Sequence, residues 1–191
     1  MLSVRTRQTY LKELGFYTGK VDGISGPLTK KAYKALQDKY FTREKDKDGL
    51  YGKNTEALLI NAYYVKKYTK NFTVDEFKCD CGGKYCTGYP VTLSTQLLMN
   101  LQNVRNKFGA TTITSGMRCT KHNNSLAGSS KTSRHLSGKA LDIYNSRTRT
   151  ETGRKEVMDY VKGLKGHRYT YCNIGGSNPN MGNAVHFDVS I

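Results

Sequence analysis

The 191-residue sequence has no tryptophan, few acidic residues and no long apolar segment. No apolar run approaches the roughly 20 residues that a transmembrane helix needs, so we expect no membrane span. The N-terminus lacks both an apolar run of signal-peptide length and a small-residue cleavage site. We therefore expect synthesis in the cytoplasm without a signal peptide, so that any action outside the cell needs a separate means of release.

Acidic residues number 15 against 31 Lys and Arg, which gives a net charge of +16. Both parts of the chain share the excess, because residues 1–70 hold 15 basic and 7 acidic residues. Such a field attracts polyanions, and nucleic acid and the anionic polymers of a bacterial cell wall fit equally well. The 14 Tyr and 6 Phe, with 37% hydrophobic residues overall, are sufficient for a folded core.

The pattern DGxxGxxT occurs twice, at residues 22–29 and 48–55. Asp-Gly favours a turn with positive φ, and apolar residues recur at helical spacing after each copy. With an earlier helical pattern, these features predict helices over 4–14, 28–40 and 57–65. The result is an all-α unit of three helices, near the lower size limit for independent folding.

Residues 66–71 are polar and basic, which predicts a linker between two domains. Beyond them, glycine, cysteine and short β-prone runs appear among helical patterns, which suggests an α+β domain. The predicted elements are helices over 92–108 and 151–164 and strands over 111–114 and 184–189. We therefore assign residues 1–68 to the all-α domain and residues 72–191 to the α+β domain.

Two apolar, strand-like segments each carry one polar side chain of a type that binds metals. Asp142 follows His135 by seven positions, and an Asp between apolar neighbours is costly unless it is paired or metal-bound. His186 lies in a similar segment near the C-terminus. Catalytic zinc takes three His or carboxylate ligands, so these residues fit a zinc site. A structural His–Asp pair is the alternative, and the absence of HExxH excludes the helix-borne arrangement.

The five cysteines are an odd number, which argues against a complete disulfide framework. Three interpretations stay open for the group formed by Cys79, Cys81, Cys86 and Cys119. They hold a structural zinc ion, form a Cys81–Cys119 or Cys86–Cys119 disulfide after release, or remain buried thiols. The spacing favours thiols, because C-x-C-x4-C is not a standard zinc-finger pattern.

Residues 72–191 resemble the M15 family of peptidoglycan peptidases, which includes D-alanyl-D-alanine carboxypeptidases and endolysins with a hedgehog-like fold. The resemblance rests on five ordered motifs: EFKC at 76–79, SGMR at 115–118, HN at 122–123, SRHLSGKALD at 133–142 and HFD at 186–188. It implies an α+β fold with a small antiparallel sheet and a zinc metallopeptidase activity. By the same motifs, His135, Asp142 and His186 are the expected zinc ligands.

About residues 1–66 resemble a peptidoglycan-binding domain that carries the same two DGxxGxxT turns. The two resemblances together imply a phage or prophage endolysin, targeted to bacterial peptidoglycan by one domain and hydrolysing it with the other. We expect a monomer that acts on the cell wall after release. Anionic wall polymers are expected as further partners, and no specific nucleic acid is.

The resemblance also assigns catalytic roles, with one departure from the family pattern. Many members place the general base, Asp or Glu, three residues before the last histidine ligand, where this chain has Asn183. Asp188 lies two residues beyond His186, on the same face of a strand. It is our candidate base, with orientation of that histidine as the alternative. Arg118 is expected to bind a substrate carboxylate or the developing oxyanion.

His122 and Ser133 are expected to contact the substrate, His122 as a further catalytic residue, although both also suit structural roles. Related domains cleave L-alanyl-D-glutamate, D-alanyl-D-alanine or cross-link bonds, and loops over 145–154 and 175–182 are expected to choose between them. The alternative function is a non-catalytic cell-wall-binding protein that keeps zinc only for structure.

Overall fold

The computed structural model describes residues 1–190, and three helices form its first part: α1 (Val4–Glu13), α2 (Pro27–Tyr40) and α3 (Lys53–Tyr68). The side chain of Ser3 caps α1 by accepting a hydrogen bond from the backbone N of Thr6 at 3.1 Å. Leucines from each helix are fully buried in a common core. The predicted all-α N-terminal region is therefore confirmed.

A buried glutamine from the preceding helix stabilises the first DGxxGxxT turn through hydrogen bonds. Gln8 Oε1 accepts from the backbone N of Gly23 at 2.8 Å, and its Nε2 donates to Asp22 Oδ1 at 2.8 Å. The same amide lies 3.2 Å from Thr29 Oγ1. Gly23 has a φ of +82°, which favours glycine. The Asp, Gly and Thr of the motif thus meet at one side-chain amide.

The second turn repeats this arrangement with Gln37 of α2. Its Oε1 accepts from the backbone N of Gly49 at 2.7 Å, and its Nε2 donates to Asp48 Oδ1 at 3.1 Å. Thr55 Oγ1 lies 2.9 Å from the same amide nitrogen. The sequence repeat is therefore a repeat of one hydrogen-bonded turn, and each copy connects two helices.

The predicted linker over 66–71 is partly wrong, because α3 continues through Tyr68. The same helix contacts the second part of the chain through the buried side chain of Asn61. Its Nδ2 donates to the carbonyl oxygen of Val91, and its Oδ1 accepts from the backbone N of Leu93, both at 2.8 Å. Contacts therefore connect the two sides of the predicted domain boundary. The division into domains of residues 1–68 and 72–191 stays a prediction.

The second part combines helices with four short strands. Its helices are α4 (Thr95–Phe108), α5 (Thr120–Ser125) and α6 (Glu151–Lys162). Its strands are β1 (Thr111–Ser115), β2 (Ala140–Asn145), β3 (His167–Cys172) and β4 (Val185–Val189). They form one antiparallel sheet in the order β1-β2-β4-β3. The predicted α+β fold with a small antiparallel sheet is confirmed.

The central strands β2 and β4 alternate between apolar and polar side chains. Leu141 pairs with Phe187 and Ile143 with Val185, and all four side chains are fully buried in the core. The intervening residues point to the opposite face, because successive side chains of a strand alternate. That face carries the candidate site. Within residues 1–190, none of the helices combines the length and apolarity needed to cross a bilayer.

Candidate active site

A row of polar side chains crosses the open face of the sheet. Asp142 on β2 is directly opposite His186 on β4, and it also pairs with Ser115 at the end of β1. Tyr171 of β3 is opposite His186 on the other side. Strand register therefore brings together two residues that are 44 positions apart in the sequence.

His135 reaches this row from a short 3-10 turn, Arg134–Ser137. Gly138 ends the turn with a φ of +66°, and its carbonyl oxygen accepts from the backbone N of Ser94 at 2.9 Å. A Cβ at this glycine would lie 2.2 Å from the carbonyl oxygen of Thr92. The glycine within the SxHxxGxAxD motif is thus required by backbone geometry that holds His135 in position.

Three ligand atoms converge at the buried end of the row. His135 Nε2 lies 3.3 Å from His186 Nδ1 and 3.4 Å from Asp142 Oδ1. The remaining distance, from His186 Nδ1 to Asp142 Oδ1, is 2.7 Å. Tetrahedral zinc with bonds near 2.0–2.1 Å separates its ligand atoms by about 3.3 Å. Two of the three separations match this value, so the donor set and its spacing fit zinc.

Both histidine rings are supported on the side that faces away from the cluster. His135 Nδ1 lies 2.7 Å from the carbonyl oxygen of Gly116, which fixes Nδ1 as the protonated nitrogen and leaves the Nε2 lone pair for a metal. His186 Nε2 lies 3.6 Å from Asp188 Oδ2. A carbonyl or carboxylate behind each ring is the usual surrounding of metal-binding histidines.

The cluster also shifts the ionisation of its members. Burial alone would raise the pKa of Asp142, but hydrogen bonds and charge from His135 and His186 hold it well below its usual range. Burial opposes protonation of His186, yet the hydrogen bond to Asp142 and the nearby carboxylate of Asp188 raise its pKa. In the metal-free protein the carboxylate is therefore kept ionised, as a metal ligand must be.

Arg118 connects the cluster to the open cleft. Its Nη2 donates to Asp142 Oδ2 at 2.8 Å and its Nε to Ser115 Oγ at 3.0 Å. Its backbone N donates to the carbonyl oxygen of His135 at 3.1 Å. Nη1 makes no hydrogen bond to the residues that the structure describes. One nitrogen of a well-positioned guanidinium thus remains for an anionic group of a substrate.

Arg118 lines three clefts, and two of them together contain the predicted site residues. The first has a volume of about 490 Å³, and its lining includes Asp80, Ser115, His122, Asp142 and Asn183. The second has a volume of about 540 Å³, and its lining includes Ser133, His135, Arg168, Tyr171, His186 and Asp188. All the residues predicted for the site therefore line one of two adjoining clefts, with the cluster of ligand atoms between them.

The two residues considered for the general base have other contacts. Asn183, at the position where family members carry a carboxylate, accepts a hydrogen bond through Oδ1 from Arg154 Nη1 at 3.1 Å. Asp188 is buried, and its Oδ2 lies 3.4 Å from Arg168 Nη1 as well as behind the His186 ring. Its Oδ1 is buried without a hydrogen-bond partner in the described part of the chain.

Sequence reasoning did not identify Tyr171 and Asp80 as site residues. The ring of Tyr171 stacks on His186, with centroids 4.6 Å apart and an interplanar angle of 28°. Asp80 lines the first cleft. Burial and the neighbouring Cys79 raise the pKa of Asp80, against the opposing charges of His122 and Arg118. Tyr171 lies on a strand that the sequence pattern does not predict. Asp80 lies between two cysteines, and its position in the sequence gives no sign that it lines a cleft.

A second cluster of ligand atoms lies beside the first cleft. The sulfurs of Cys79, Cys81, Cys86 and Cys119 all lie within 4.8 Å of one another. The fifth cysteine, Cys172, is elsewhere, with its sulfur 3.1 Å from that of Met158. Four cysteines that are remote or irregularly spaced in sequence thus meet at one point.

Comparison with known families covers most of the chain. The family model described as Peptidase M15 matches residues 70–176, which is more than half of the sequence. The model described as Putative peptidoglycan binding domain matches residues 2–59. Both matches agree with the resemblances found in the sequence motifs.

Two curated proteins, each named spore cortex-lytic enzyme and each from Bacillus cereus, are 40% identical to this chain over 76 residues. The similarity covers 40% of this chain and 28% of each relative. The chain thus spans less than a third of the length of the curated relatives that it matches.

Proposed function

Because the chain belongs to the M15 peptidase family, we propose that it is a zinc-dependent hydrolase that cleaves an amide bond in the stem or cross-link peptide of peptidoglycan. The observation that carries this proposal is the convergence of His135 Nε2, Asp142 Oδ1 and His186 Nδ1 between two clefts. Zinc bound by these atoms would supply Lewis-acid polarisation and lower the pKa of a water molecule.

Arg118 is assigned to the substrate. Its Nε and Nη2 are fixed by Ser115 and Asp142, so the guanidinium is already oriented before a substrate binds. The remaining nitrogen suits a carboxylate of the stem peptide or the oxygen that gains charge as the amide bond breaks. His122 in the first cleft and Ser133 in the second are assigned to substrate contacts on the two sides of the cluster.

The contacts of Asp188 support positioning more than proton transfer. Its Oδ2 faces Nε2 of His186, the ring nitrogen on the side away from Asp142. A carboxylate there holds the ring orientation and strengthens the opposite nitrogen as a ligand. We therefore expect Asp188 to orient His186, and its assignment as the general base stays a prediction. Asp80 is the second carboxylate available for that role, because it lines the cleft of Arg118 and Asp142.

The N-terminal region supplies attachment to the wall. It contains a peptidoglycan-binding domain over residues 2–59, so peptidoglycan is the partner of this region. The net charge of +16 favours the anionic polymers that accompany peptidoglycan. A wall-binding region joined to a wall-cutting domain suits an endolysin of a phage or prophage, which acts as a monomer after release.

Wall digestion by the purified protein tests the proposal. We expect a clearing zone in a peptidoglycan zymogram that a zinc chelator abolishes, and no clearing by His135→Ala. The same variant is expected to bind walls like the parent, because His135 is remote from residues 2–59 in the sequence and belongs to the α+β domain. Clearing that survives complete removal of zinc would show that the proposal is wrong.

The alternative is a non-catalytic wall-binding protein, which the Asn at position 183 favours. The structure gives this residue a partner in Arg154, so the side chain has a structural use of its own. Mass spectrometry of walls after incubation distinguishes the two cases. Binding without release of any peptide fragment supports the alternative, whereas new peptide termini support hydrolysis and identify the bond.

A further inference from the structure

Four cysteine sulfurs form a compact centre outside the cluster of His135, Asp142 and His186. Cys81 Sγ and Cys86 Sγ are 3.5 Å apart, and every pair within the four lies within 4.8 Å. Four thiolates around a zinc ion with bonds near 2.3 Å are separated by about 3.8 Å. We propose that Cys79, Cys81, Cys86 and Cys119 bind a second, structural zinc ion.

Backbone amides already point at these sulfurs. The N–H of Cys119 donates to Cys79 Sγ at 3.4 Å, and the N–H of Gly88 donates to Cys86 Sγ at 3.4 Å. The N–H of His122 donates to Cys119 Sγ at 3.5 Å. Such donors favour the thiolate over the thiol, since hydrogen bonds to a charged acceptor are the stronger ones. The backbone is thus arranged for sulfurs that carry negative charge.

The loop that carries three of the cysteines has no regular secondary structure. Residues 78–89 contain no helix or strand, and Gly82, Gly83 and Gly88 all have positive φ. A backbone hydrogen bond from Cys79 N to the carbonyl oxygen of Gly88, at 2.8 Å, closes the loop. Metal binding would therefore contribute directly to the folding of this loop, because a preformed site rarely exists in an unfolded chain.

Disulfide bonds explain this geometry less well. A disulfide joins two sulfurs at about 2.05 Å and places no demand on a third or fourth. Here Cys119, remote in sequence, approaches all three sulfurs of the loop. Mutual proximity of four sulfurs is the requirement of one metal centre and not of two separate bridges.

The thiolate centre is connected to both clefts and to the wall-binding region. Cys119 follows Arg118, and Asp80 lies between Cys79 and Cys81. The loop also accepts a hydrogen bond from the N-terminal region, where the backbone N of Thr42 donates to the carbonyl oxygen of Thr87 at 3.3 Å. The second zinc would therefore hold Arg118 and Asp80 in place while taking no part in the reaction.

Metal counting on a variant that lacks the first centre tests the proposal. We expect two zinc ions per chain in the parent and one in His135→Ala, both purified under reducing conditions and measured by elemental mass spectrometry. His135→Ala loaded with cobalt should show the near-ultraviolet charge-transfer absorption of cobalt–thiolate bonds. Cys172→Ala is the matched control and should keep two zinc ions.

Alkylation of the thiols gives a second measurement that does not depend on a cysteine variant folding. Cys81, Cys86 and Cys119 are partly exposed, so a reagent can reach their sulfurs. These thiols should resist alkylation while zinc is bound and react once a chelator is added. A His135→Ala protein that holds no metal and whose thiols react freely would overturn the proposal, as would an intact mass showing disulfides. One zinc per parent chain, lost in His135→Ala, would overturn the second centre and leave the proposed function standing.

Discussion

The two clusters of ligand atoms differ in what holds them together. His135, Asp142 and His186 are buried, and two of them sit opposite each other on the central strands of the sheet. The four cysteines lie on a glycine-rich loop and at the start of α5, and only Cys79 among them is buried. The first site is therefore formed by the fold, whereas the second needs its ion to form the surrounding structure.

This difference predicts that loss of the first metal affects catalysis alone, whereas loss of the second also affects stability. Removal of the ion on the sheet should abolish catalysis and leave the fold, because strand register and the core residues persist. Removal of the ion on the loop should loosen the segment that carries Asp80 and Arg118. Stability, and activity through it, should then both fall.

The largest effect on stability is expected for the thiolate centre. In a His135→Ala background only this centre binds zinc, and a chelator should lower the melting temperature by about 10 °C, which corresponds to roughly 3 kcal/mol for a chain of this size. The double variant His135→Ala/Cys86→Ala should start at the lower temperature and not respond to the chelator. An equal response of the two proteins would mean that the stabilising ion is elsewhere. Calorimetry measures both.

The next largest effect, on the rate of hydrolysis, is expected at Asp188. If it orients His186, Asp188→Asn should lower kcat/KM by about 10–100-fold and leave the acid limb of the pH–rate profile in place. If it is the general base, the loss should reach about 100–10,000-fold and the acid limb should disappear. Asp80→Asn is the matched comparison, because Asp80 lines the first cleft. Loss of the acid limb in that variant alone would identify Asp80 as the proton carrier.

A smaller effect is expected in the wall-binding region. Gln8→Ala leaves Asp22, Gly23 and Thr29 without their shared partner, which should cost about 1–3 kcal/mol and weaken wall binding. Hydrolysis of a small soluble peptide should be unchanged. Lys31→Ala, on the exposed side of α2, is the control and should stay within about 0.5 kcal/mol of the parent. Wall pull-down and peptide hydrolysis, measured side by side, separate the two regions.

The smallest effect is a pH dependence of the metal-free protein. Because the pKa of His186 is raised in the folded protein, protonated His186 stabilises the fold fully at pH values below about 6.5, the pKa of histidine in the unfolded chain. This contribution is lost as the pH rises through the folded pKa. Because the pKa of Asp142 is lowered in the folded protein, ionised Asp142 stabilises the fold at pH values above about 3.9, the pKa of aspartate in the unfolded chain. This contribution is lost as the pH falls through the folded pKa. The pair should therefore stabilise most between these values. His186→Gln should remove the decline on the alkaline side, and thermal melts of chelated protein across pH measure it.

The sequence predicts those elements whose apolar residues recur with the period of the helix or strand that they form. Helical spacing located α1, α2 and α3, and apolar flanks located β2 and β4. Strand β3 was not predicted, because its aromatic residues Tyr169 and Tyr171 lie on the less buried face while Thr170 is buried. Alternation of apolar and polar residues therefore does not predict this strand.

For the candidate site, motifs in the sequence indicate the candidate metal ligands, but only the fold supplies their distances. Nothing in the spacing of Asp142 and His186 indicates that they are opposite each other, since strand register is a property of the whole sheet. The sequence does not indicate the roles of Gln8 and Gln37, because polar residues on helices usually face water, whereas both of these side chains are buried. The spacing of the four cysteines leaves zinc, disulfide and thiol interpretations open, because three lie on an irregular loop and the fourth is 33 positions beyond Cys86. Only the fold shows that the four sulfurs lie within 4.8 Å of one another.

The most direct test of the central claim is zinc-dependent cleavage of purified peptidoglycan, followed by mass spectrometry of the released muropeptides. The account predicts that chelated protein produces no new peptide termini and that added zinc restores one defined cleavage in the parent. His135→Ala, although still bound to the wall, should produce none at any zinc concentration. New termini from fully chelated protein or from zinc-supplemented His135→Ala would contradict the assignment of His135, Asp142 and His186 as the catalytic centre.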